Sequence, residues 1–161
     1  METMIITEEE RIFLLNWISE NEHKFVSNDF GQHRKVHFFD SNSEAPSLLY
    51  EIKDRIIKRE NIKKWYPEPM LGNYIGWISN GGFIQRHTDP NPKDGDHIRY
   101  NLFLSVPHQG GLPIYSDKII SVKDREYIRC NSGLYFHESQ KVIGDKPRIV
   151  ISYGFILPKN N

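Results

Sequence analysis

The run Pro147-Arg148-Ile149-Val150-Ile151-Ser152-Tyr153 indicates the fold class most clearly. β-Branched and aromatic residues dominate it, and they favour an extended chain. Residues two apart in a strand lie on one face, so Arg148, Val150 and Ser152 are predicted to share a face. An arginine within such a strand is seldom fully buried without an anionic partner, and its planar guanidinium matches a carboxylate. The run predicts a strand with an anion-binding arginine.

Similar short runs fill the chain from residue 67 onwards. They are rich in Ile, Tyr, Phe, Trp and Val and are separated by Gly, Pro, Asn and Asp, a pattern typical of strands joined by turns. The predicted strands of this region are 71–78, 82–87, 98–106, 112–115, 118–123, 126–129, 133–137 and 147–157. Several short strands at this spacing predict a β-sandwich or jelly roll over residues 67–161.

Residues 1–66 are predicted to form a helical layer. Thr7-Glu8-Glu9-Glu10 is a capping box that opens a helix to about Ser19. Pro46 suits the first turn of a second helix, which continues through Glu60 with apolar residues at helical spacing. A short strand is predicted over 35–39. Both helices should cover one outer face of the sheet, giving a mainly β fold with flanking helices (α+β) in a single domain, 1–161.

Composition excludes several classes of protein. The chain has 161 residues, 21 basic and 21 acidic side chains, and one cysteine, Cys130. Neutrality gives no electrostatic argument for nucleic-acid binding. One cysteine forms neither an internal disulfide nor a thiolate zinc cage, which indicates a reducing compartment. The sequence has no signal peptide or membrane span, so a cytoplasmic protein without membrane contact is expected.

A candidate metal motif lies in Gly81-Gly82-Phe83-Ile84-Gln85-Arg86-His87-Thr88-Asp89-Pro90. Residues two apart in an extended segment point to the same side, so His87 and Asp89 can reach one metal ion. Imidazole and carboxylate without a thiol suit Fe(II) or Mn(II), and a triad of two histidines and one carboxylate leaves coordination positions open. A second histidine is then required.

His137 is the best candidate for that ligand among the seven histidines. It ends the apolar run Gly133-Leu134-Tyr135-Phe136-His137, which is predicted to leave the core as a strand and expose the imidazole at its end. The other histidines are predicted to lie in polar loops, in turns (His97 and His108) or before the β-rich region.

His87-x-Asp89, then His137, then Arg148 in this order resembles the Fe(II)- and 2-oxoglutarate-dependent dioxygenases, over about residues 71–157. The resemblance implies a double-stranded β-helix, the jelly roll of that family. It also implies hydroxylation of an unactivated C–H bond, coupled to conversion of 2-oxoglutarate and O2 to succinate and CO2.

The same resemblance implies roles for individual residues. His87, Asp89 and His137 would hold Fe(II), which 2-oxoglutarate chelates, and Arg148 would bind the distal carboxylate. Ser152 would be a second donor to it, although the family usually carries this hydroxyl two residues after the arginine, where this chain has Val150.

Further motifs of this sequence resemble two subgroups of the family. Gly81-Gly82 before His87 resembles prolyl hydroxylases, whereas Arg99-Tyr100-Asn101-Leu102 and the segment 144–150 resemble aspartyl/asparaginyl β-hydroxylases. Asn101 replaces the histidine of the second subgroup. The resemblance favours a protein or peptide side chain (Asp, Asn or Pro) as the substrate. A free amino acid or another small metabolite is the alternative.

Four further residues are candidates for the cosubstrate pocket. Arg99 and Asn101 would share a strand face that lines it, but Arg99 could instead form a surface ion pair with Asp94 or Asp96. Tyr74 and Trp77 precede the metal motif, and aromatic residues at strand spacing are more often core residues than pocket residues.

Two other functions remain open at this point. A non-catalytic jelly-roll protein with a structural or sensory metal would not need Arg148 as an anchor. A metal-dependent cupin enzyme such as an isomerase would have a closed set of three or four ligands rather than a triad and an arginine. The sequence does not predict an oligomeric state.

Overall fold

A computed structural model of the chain describes residues 4–28 and 31–159, with backbone only at residues 31 and 32. Its two α-helices are α1 (Glu8–Glu20) and α2 (Leu48–Arg59), and short 3-10 helices span Glu22–Lys24 and Phe39–Ser41. In chain order the strands are β1 (Val26–Ser27), β2 (Gly31–Phe38), β3 (Tyr66–Pro67), β4 (Tyr74–Ile84), β5 (Gly95–Ser105), β6 (Gln109–Gly110), β7 (Pro113–Tyr115), β8 (Lys118–Ile119), β9 (Tyr127–Cys130), β10 (His137–Ser139), β11 (Val142–Ile143) and β12 (Arg148–Pro158). The predicted class, mainly β with two N-terminal helices, is confirmed.

The strands form one large and two small antiparallel sheets. The large sheet has the order β1-β2-β4-β12-β5-β9, and β3 adds to β12. A three-stranded sheet has the order β10-β7-β8, and β11 pairs with β6. β12 lies between β4 and β5 although it is far from both in sequence, which is the crossed connectivity of a jelly roll.

The two faces of the large sheet have different roles. Its outer face packs on both helices in one apolar cluster, which includes Leu14 of α1, Ile56 of α2, and Ile75 and Tyr153 of the sheet. Tyr153 also donates a hydrogen bond from its hydroxyl to the Leu49 carbonyl, at 2.7 Å. The inner face carries a smaller apolar cluster and the candidate site. The helices therefore support the sheet from behind and leave its other face available for chemistry.

The start of α1 agrees with the predicted capping box. The Glu10 amide donates to Thr7 Oγ1 at 3.1 Å, and the Thr7 amide donates to Glu10 Oε1 at 2.9 Å. Two orphan amides of the helix terminus are satisfied in this way. The second helix begins at Leu48, within its predicted range.

Several predicted elements differ from the structure. The strands predicted at 71–78 and 82–87 are one strand, β4, which bends near Gly81 at a φ of 84°. The strand predicted at 118–123 is reduced to β8. β1 and β2 belong to the large sheet, so the layer assigned to residues 1–66 is not purely helical.

The strand predicted over 133–137 is wrong. The amides of Leu134 and Tyr135 both donate to the Asn131 carbonyl, which makes this segment a turn, and β10 begins only at His137. Phe136 is 51% exposed. The apolar run suggested a strand, but the local hydrogen bonds to Asn131 determine the conformation. Among the described residues, no helix is long and apolar enough to cross a bilayer.

The packing of α2 on the sheet predicts a large loss of stability for Ile56→Ala. Ile56 is fully buried, and truncation of such a side chain to Ala typically costs about 2–5 kcal/mol. Ile12→Ala is the control, because Ile12 is 48% exposed on α1 and exposed changes usually alter stability by less than about 0.5 kcal/mol. Urea unfolding measures both. Equal free energies of unfolding for the two variants would contradict this packing.

Candidate active site

The two histidines of the candidate metal centre are held together by their backbones. His87 lies just beyond β4 and His137 begins β10, and the two residues form an isolated antiparallel bridge. The His87 amide donates to the His137 carbonyl at 3.1 Å, and the reverse bond is 2.9 Å. The ring centroids are 4.2 Å apart. Asp89 is fixed by a 2.7 Å bond from its amide to the Ser132 carbonyl.

The donor atoms of these three side chains converge. Asp89 Oδ1 lies 3.2 Å from His87 Nε2 and 3.8 Å from His137 Nε2, and one ligand atom of each residue lies within 4.8 Å of the others. The Nδ1 atoms face backbone carbonyls, at 2.6 Å from Gln85 and 3.3 Å from Tyr135. A carbonyl only accepts, so each Nδ1 carries a proton and Nε2 is the ring atom that could bind a metal. This arrangement orients histidine ligands in metal sites.

Burial and neighbouring charges shift the pKa values of all three side chains of the triad. Burial alone would raise the pKa of Asp89, but the His87 hydrogen bond and the charges of His137 and Arg99 outweigh it and lower the pKa to about 2. Burial lowers the pKa of His137, which favours the neutral ring that a metal requires, whereas the hydrogen bond with Asp89 outweighs burial and raises the pKa of His87. Burial raises the pKa of the nearby Cys130 thiol to about 12. Cys130 is therefore not an activated thiolate, and it is not among the three convergent donors of the described residues.

A cavity of about 210 Å³ extends from the triad between the large sheet and β7 and β10. Its wall includes most of the residues that the sequence proposed for the cosubstrate: Tyr74, Arg99, Asn101, Arg148 and Ser152. On the large sheet Ser152 pairs with Tyr74 on one side and with Asn101 on the other. The inner face of three neighbouring strands thus brings these side chains to one place.

Arg148 is a buried cation in this wall. It is 6% exposed, its Nε donates to the Gly111 carbonyl at 2.9 Å, and its guanidinium lies 5.1 Å from the Phe103 ring centroid. Within the described residues no carboxylate lies at ion-pair distance from it. Burial, reinforced by the charge of Arg34, lowers its pKa to about 10. A buried cation without an anion is costly, so the cavity is suited to an anionic ligand.

Tyr115 is a wall residue that the sequence did not single out. It pairs with His137 across β7 and β10, and its hydroxyl accepts a 3.1 Å hydrogen bond from Asn101 Nδ2. Burial raises its pKa well above the ordinary value, so it remains a neutral phenol. Its only sequence indication was an aromatic residue at the end of the predicted strand 112–115, a pattern that core residues share.

Arg99 does not form the surface ion pair that was the alternative in the sequence, because it is 2% exposed. Its carboxylate partner is the buried Glu68, with Nη1 and Oε2 3.7 Å apart. Arg99 Nη2 also donates to the Gly72 carbonyl at 2.6 Å, and Nε donates to Ser152 Oγ at 2.7 Å. The Ser152 hydroxyl oxygen is therefore engaged by Arg99. Arg99 fixes the 68–72 loop at one end of the cavity.

His97 was assigned to a turn from the sequence, but it is fully buried in β5. Its Nδ1 lies 3.0 Å from the Pro90 carbonyl and its Nε2 lies 3.0 Å from Arg99 Nη1. The Gly133 amide donates to the His97 carbonyl at 3.2 Å. His97 therefore connects the chain just after Asp89 with Arg99 and with the turn before His137.

The two aromatic candidates lie on opposite faces of β4. Tyr74 lines the cavity, and the Arg99 guanidinium lies 4.8 Å from its ring centroid. The interpretation of Trp77 as a pocket residue needs correction, because three residues along a strand reverse the face. Trp77 packs edge-on against Phe25 at 5.9 Å, and Lys35 Nζ lies 4.1 Å from its ring centroid.

No family model and no curated protein matches the sequence. Several solved structures match the fold of the chain. A Pseudomonas putida prolyl-4-hydroxylase has a TM-score of 0.69 at 12% identity, covering 99% of this chain and 91% of that chain. HygX from Streptomyces hygroscopicus, solved with nickel, 2-oxoglutarate and hygromycin B, has a TM-score of 0.70 at 10% identity, covering 97% and 81%.

A third structure is a prolyl hydroxylase in complex with a hypoxia inducible factor peptide fragment from Trichoplax adhaerens. It has a TM-score of 0.69 at 14% identity and covers 98% of this chain and 82% of that chain. The chain therefore shares its fold with these prolyl hydroxylases and with HygX.

Proposed function

We propose that the protein is an Fe(II)- and 2-oxoglutarate-dependent dioxygenase that hydroxylates an unactivated C–H bond. 2-Oxoglutarate and O2 would be converted to succinate and CO2. The observation that carries this proposal is the buried Arg148, which lies in the same cavity as His87, Asp89 and His137. Among the described residues no carboxylate is at ion-pair distance from it. A metal triad and a cation in one cavity match a ligand with carboxylates at both ends.

The residues present fit Fe(II). Two imidazoles and one carboxylate form the donor set that leaves open positions on non-haem iron, and Cys130 is not among the convergent donors of the described residues. When bound, the iron supplies the activation of O2 and the oxidation of the C–H bond. The protein positions the ligands: the His87–His137 bridge and the Asp89–Ser132 bond set the spacing of the donor atoms.

The cosubstrate would be oriented by the wall of the cavity. Arg148 would pair with its distal carboxylate. The Tyr115 hydroxyl accepts from Asn101 and is hydrogen-bonded to Cys130, and in the complex it would donate its proton to the same carboxylate instead of to Cys130. Ser152, Arg99 and Asn101 are proposed as further contacts. Since Ser152 Oγ accepts from Arg99, these two residues would act as a unit.

For the substrate, two classes are proposed. A protein or peptide side chain (Asp, Asn or Pro) is favoured by the motifs of the sequence, and one structure with the same fold contains a bound peptide. A free amino acid or another small metabolite is the second candidate, because HygX, with the same fold, was solved with hygromycin B. A non-catalytic metal-binding jelly-roll protein would leave the burial of Arg148 without a reason.

The test is a screen of peptides and metabolites with the Fe(II)-loaded protein, 2-oxoglutarate and O2. Mass spectrometry should detect the gain of one oxygen atom in one compound class, with matching release of succinate. No succinate release above a protein-free control, together with no oxygen gain in any compound, would favour the non-catalytic alternative.

Tyr115→Phe is expected to weaken 2-oxoglutarate binding roughly tenfold. The variant keeps the ring beside His137 and removes only the hydroxyl, and hydrogen bonds to charged groups contribute about 1.5–3 kcal/mol. Anaerobic titration of the metal-loaded protein with 2-oxoglutarate measures this affinity. Tyr66→Phe is the control, because the Tyr66 hydroxyl bonds Asp94 outside the cavity. An unchanged affinity in Tyr115→Phe would remove Tyr115 from the cosubstrate site.

A further inference from the structure

Arg34 lies in the same cavity as Arg148. On the large sheet Arg34 of β2 and Arg148 of β12 both pair with Ile78 of β4, from opposite sides. Paired residues of antiparallel strands point to the same face, so the two guanidinium groups share the inner face. Both side chains line the cavity.

Arg34 has little to balance its charge. Nη1 donates to Asn28 Oδ1 at 2.7 Å, the guanidinium lies 5.9 Å from the Tyr74 ring centroid, and Nε is buried without a hydrogen-bond partner. Among the described residues its contacts are thus a neutral amide and a distant ring. Arginine is charged at any physiological pH, so Arg34 remains a cation in this wall.

The other partly or fully buried arginines are different. Apart from Arg148, each of them pairs with a carboxylate among the described residues. The paired ones are Arg11, Arg55, Arg99 and Arg125. Arg34 and Arg148 are therefore the two buried or half-buried arginines of the described chain that lack an anion, and both face one cavity. This coincidence points to anionic ligands rather than to a structural role.

The carboxylates of the cavity do not supply the missing anion. Two carboxylates line it, those of Asp89 and Glu138. Asp89 faces the two histidines, and Glu138 lies 3.7 Å from Arg86. Neither is at ion-pair distance from Arg34.

The charge balance of the cavity suggests which ligand Arg34 binds. In the proposed function the divalent metal and Arg148 balance Asp89 and both carboxylates of 2-oxoglutarate. Among the described residues, no carboxylate then remains to compensate the charge of Arg34. We propose that Arg34 binds a carboxylate of the substrate, so that the site selects acidic substrates, such as an aspartate side chain, over their amides and over proline. This inference rests on the proposed function and names the substrate class of that site.

The position of Arg34 agrees with this role. Asn28 also lines the cavity, and its Oδ1 accepts from Arg34 Nη1 and so orients the guanidinium. A carboxylate accepts from a guanidinium through two parallel hydrogen bonds. A guanidinium that binds a carboxylate bidentately also rejects the isosteric amide, because the amide nitrogen would meet a cationic donor.

The experiment compares blocked amino acids as probes. N-acetyl-L-aspartate amide, N-acetyl-L-asparagine amide and N-acetyl-L-proline amide are titrated by calorimetry into the Fe(II)- and 2-oxoglutarate-loaded protein without O2. The wild type should bind the acid at least about tenfold more tightly than either other probe, since hydrogen bonds to charged groups contribute about 1.5–3 kcal/mol. Arg34→Gln should abolish that preference and leave 2-oxoglutarate affinity within about twofold. Arg59→Gln, on the exposed end of α2, should behave as the wild type.

Two outcomes overturn the inference. No preference for the acid in the wild type would exclude an acid-selective site. A loss of 2-oxoglutarate affinity in Arg34→Gln as large as in an Arg148 variant would make Arg34 a cosubstrate residue instead. Failure of the proposed function itself would be distinct, since the wild type would then not bind 2-oxoglutarate at all.

Discussion

Asp89→Ala is expected to reduce affinity for Fe(II) by more than about a hundredfold. Asp89 Oδ1 lies near both imidazoles, and it is the only carboxylate among the three convergent side chains of the described triad. Loss of partners that merely orient a ligand already costs about 10–100-fold in metal affinity, so loss of a ligand should cost more. Anaerobic metal titration followed by calorimetry gives the two dissociation constants.

Glu138→Gln is the matched control for that experiment. Glu138 also lines the cavity and directly follows His137, but its carboxylate lies beside Arg86. Its variant should bind Fe(II) within a few-fold of the wild type. Equal affinities in Asp89→Ala and the wild type would show that the metal, if bound, lies elsewhere.

Arg148→Met is expected to weaken 2-oxoglutarate binding roughly a hundredfold. Removal of one partner from a buried charge pair costs about 2–5 kcal/mol, and about 1.4 kcal/mol corresponds to tenfold. Metal affinity should change little. The ligand-free variant should unfold with the same or a higher free energy, because an uncompensated buried cation is replaced by an apolar side chain of similar length.

Titration with 2-oxoglutarate, metal titration and urea unfolding separate these effects. Arg125→Gln is the control, since Arg125 pairs with Glu8 and neither residue lines the cavity. A parallel loss of metal and cosubstrate affinity in Arg148→Met would contradict the assignment. A large loss of stability without ligand would indicate a structural role.

Much of the fold could be predicted because it depends on local patterns. The capping box at Thr7 and the apolar spacing of α2 are properties of a few neighbouring residues, and so is the β-forming run that became β12. The spacing of His87 and Asp89 is equally local. These features need no knowledge of which segments meet in space.

The remaining errors arise where distant segments decide the structure. Whether Tyr74 or Trp77 faces the cavity depends on which face of β4 the helices cover. The sequence of the strand alone does not show which face that is. The run before His137 appeared to be a strand from its apolar composition, yet its amides bond Asn131 and the guanidinium of Arg86 lies 4.7 Å from the Phe136 ring centroid.

Contacts between remote segments explain the residues that were missed. Glu68 and Arg99 are far apart in sequence, and their pairing is visible only after β5 and the 68–72 loop meet. Tyr115 acquires its place from its pairing with His137. Arg34 and Arg148 become neighbours only through Ile78. A cation that lacks an anion can be recognised only when all possible partners are in position.

The visible spectrum of the wild-type protein tests the central proposal most directly. The Fe(II)-loaded protein is mixed with 2-oxoglutarate in the absence of O2. The weak charge-transfer band of the chelated cosubstrate should appear and saturate with 2-oxoglutarate. The absence of a band at saturating 2-oxoglutarate, with Fe(II) shown to be bound to the protein, would contradict an Fe(II)- and 2-oxoglutarate-dependent dioxygenase.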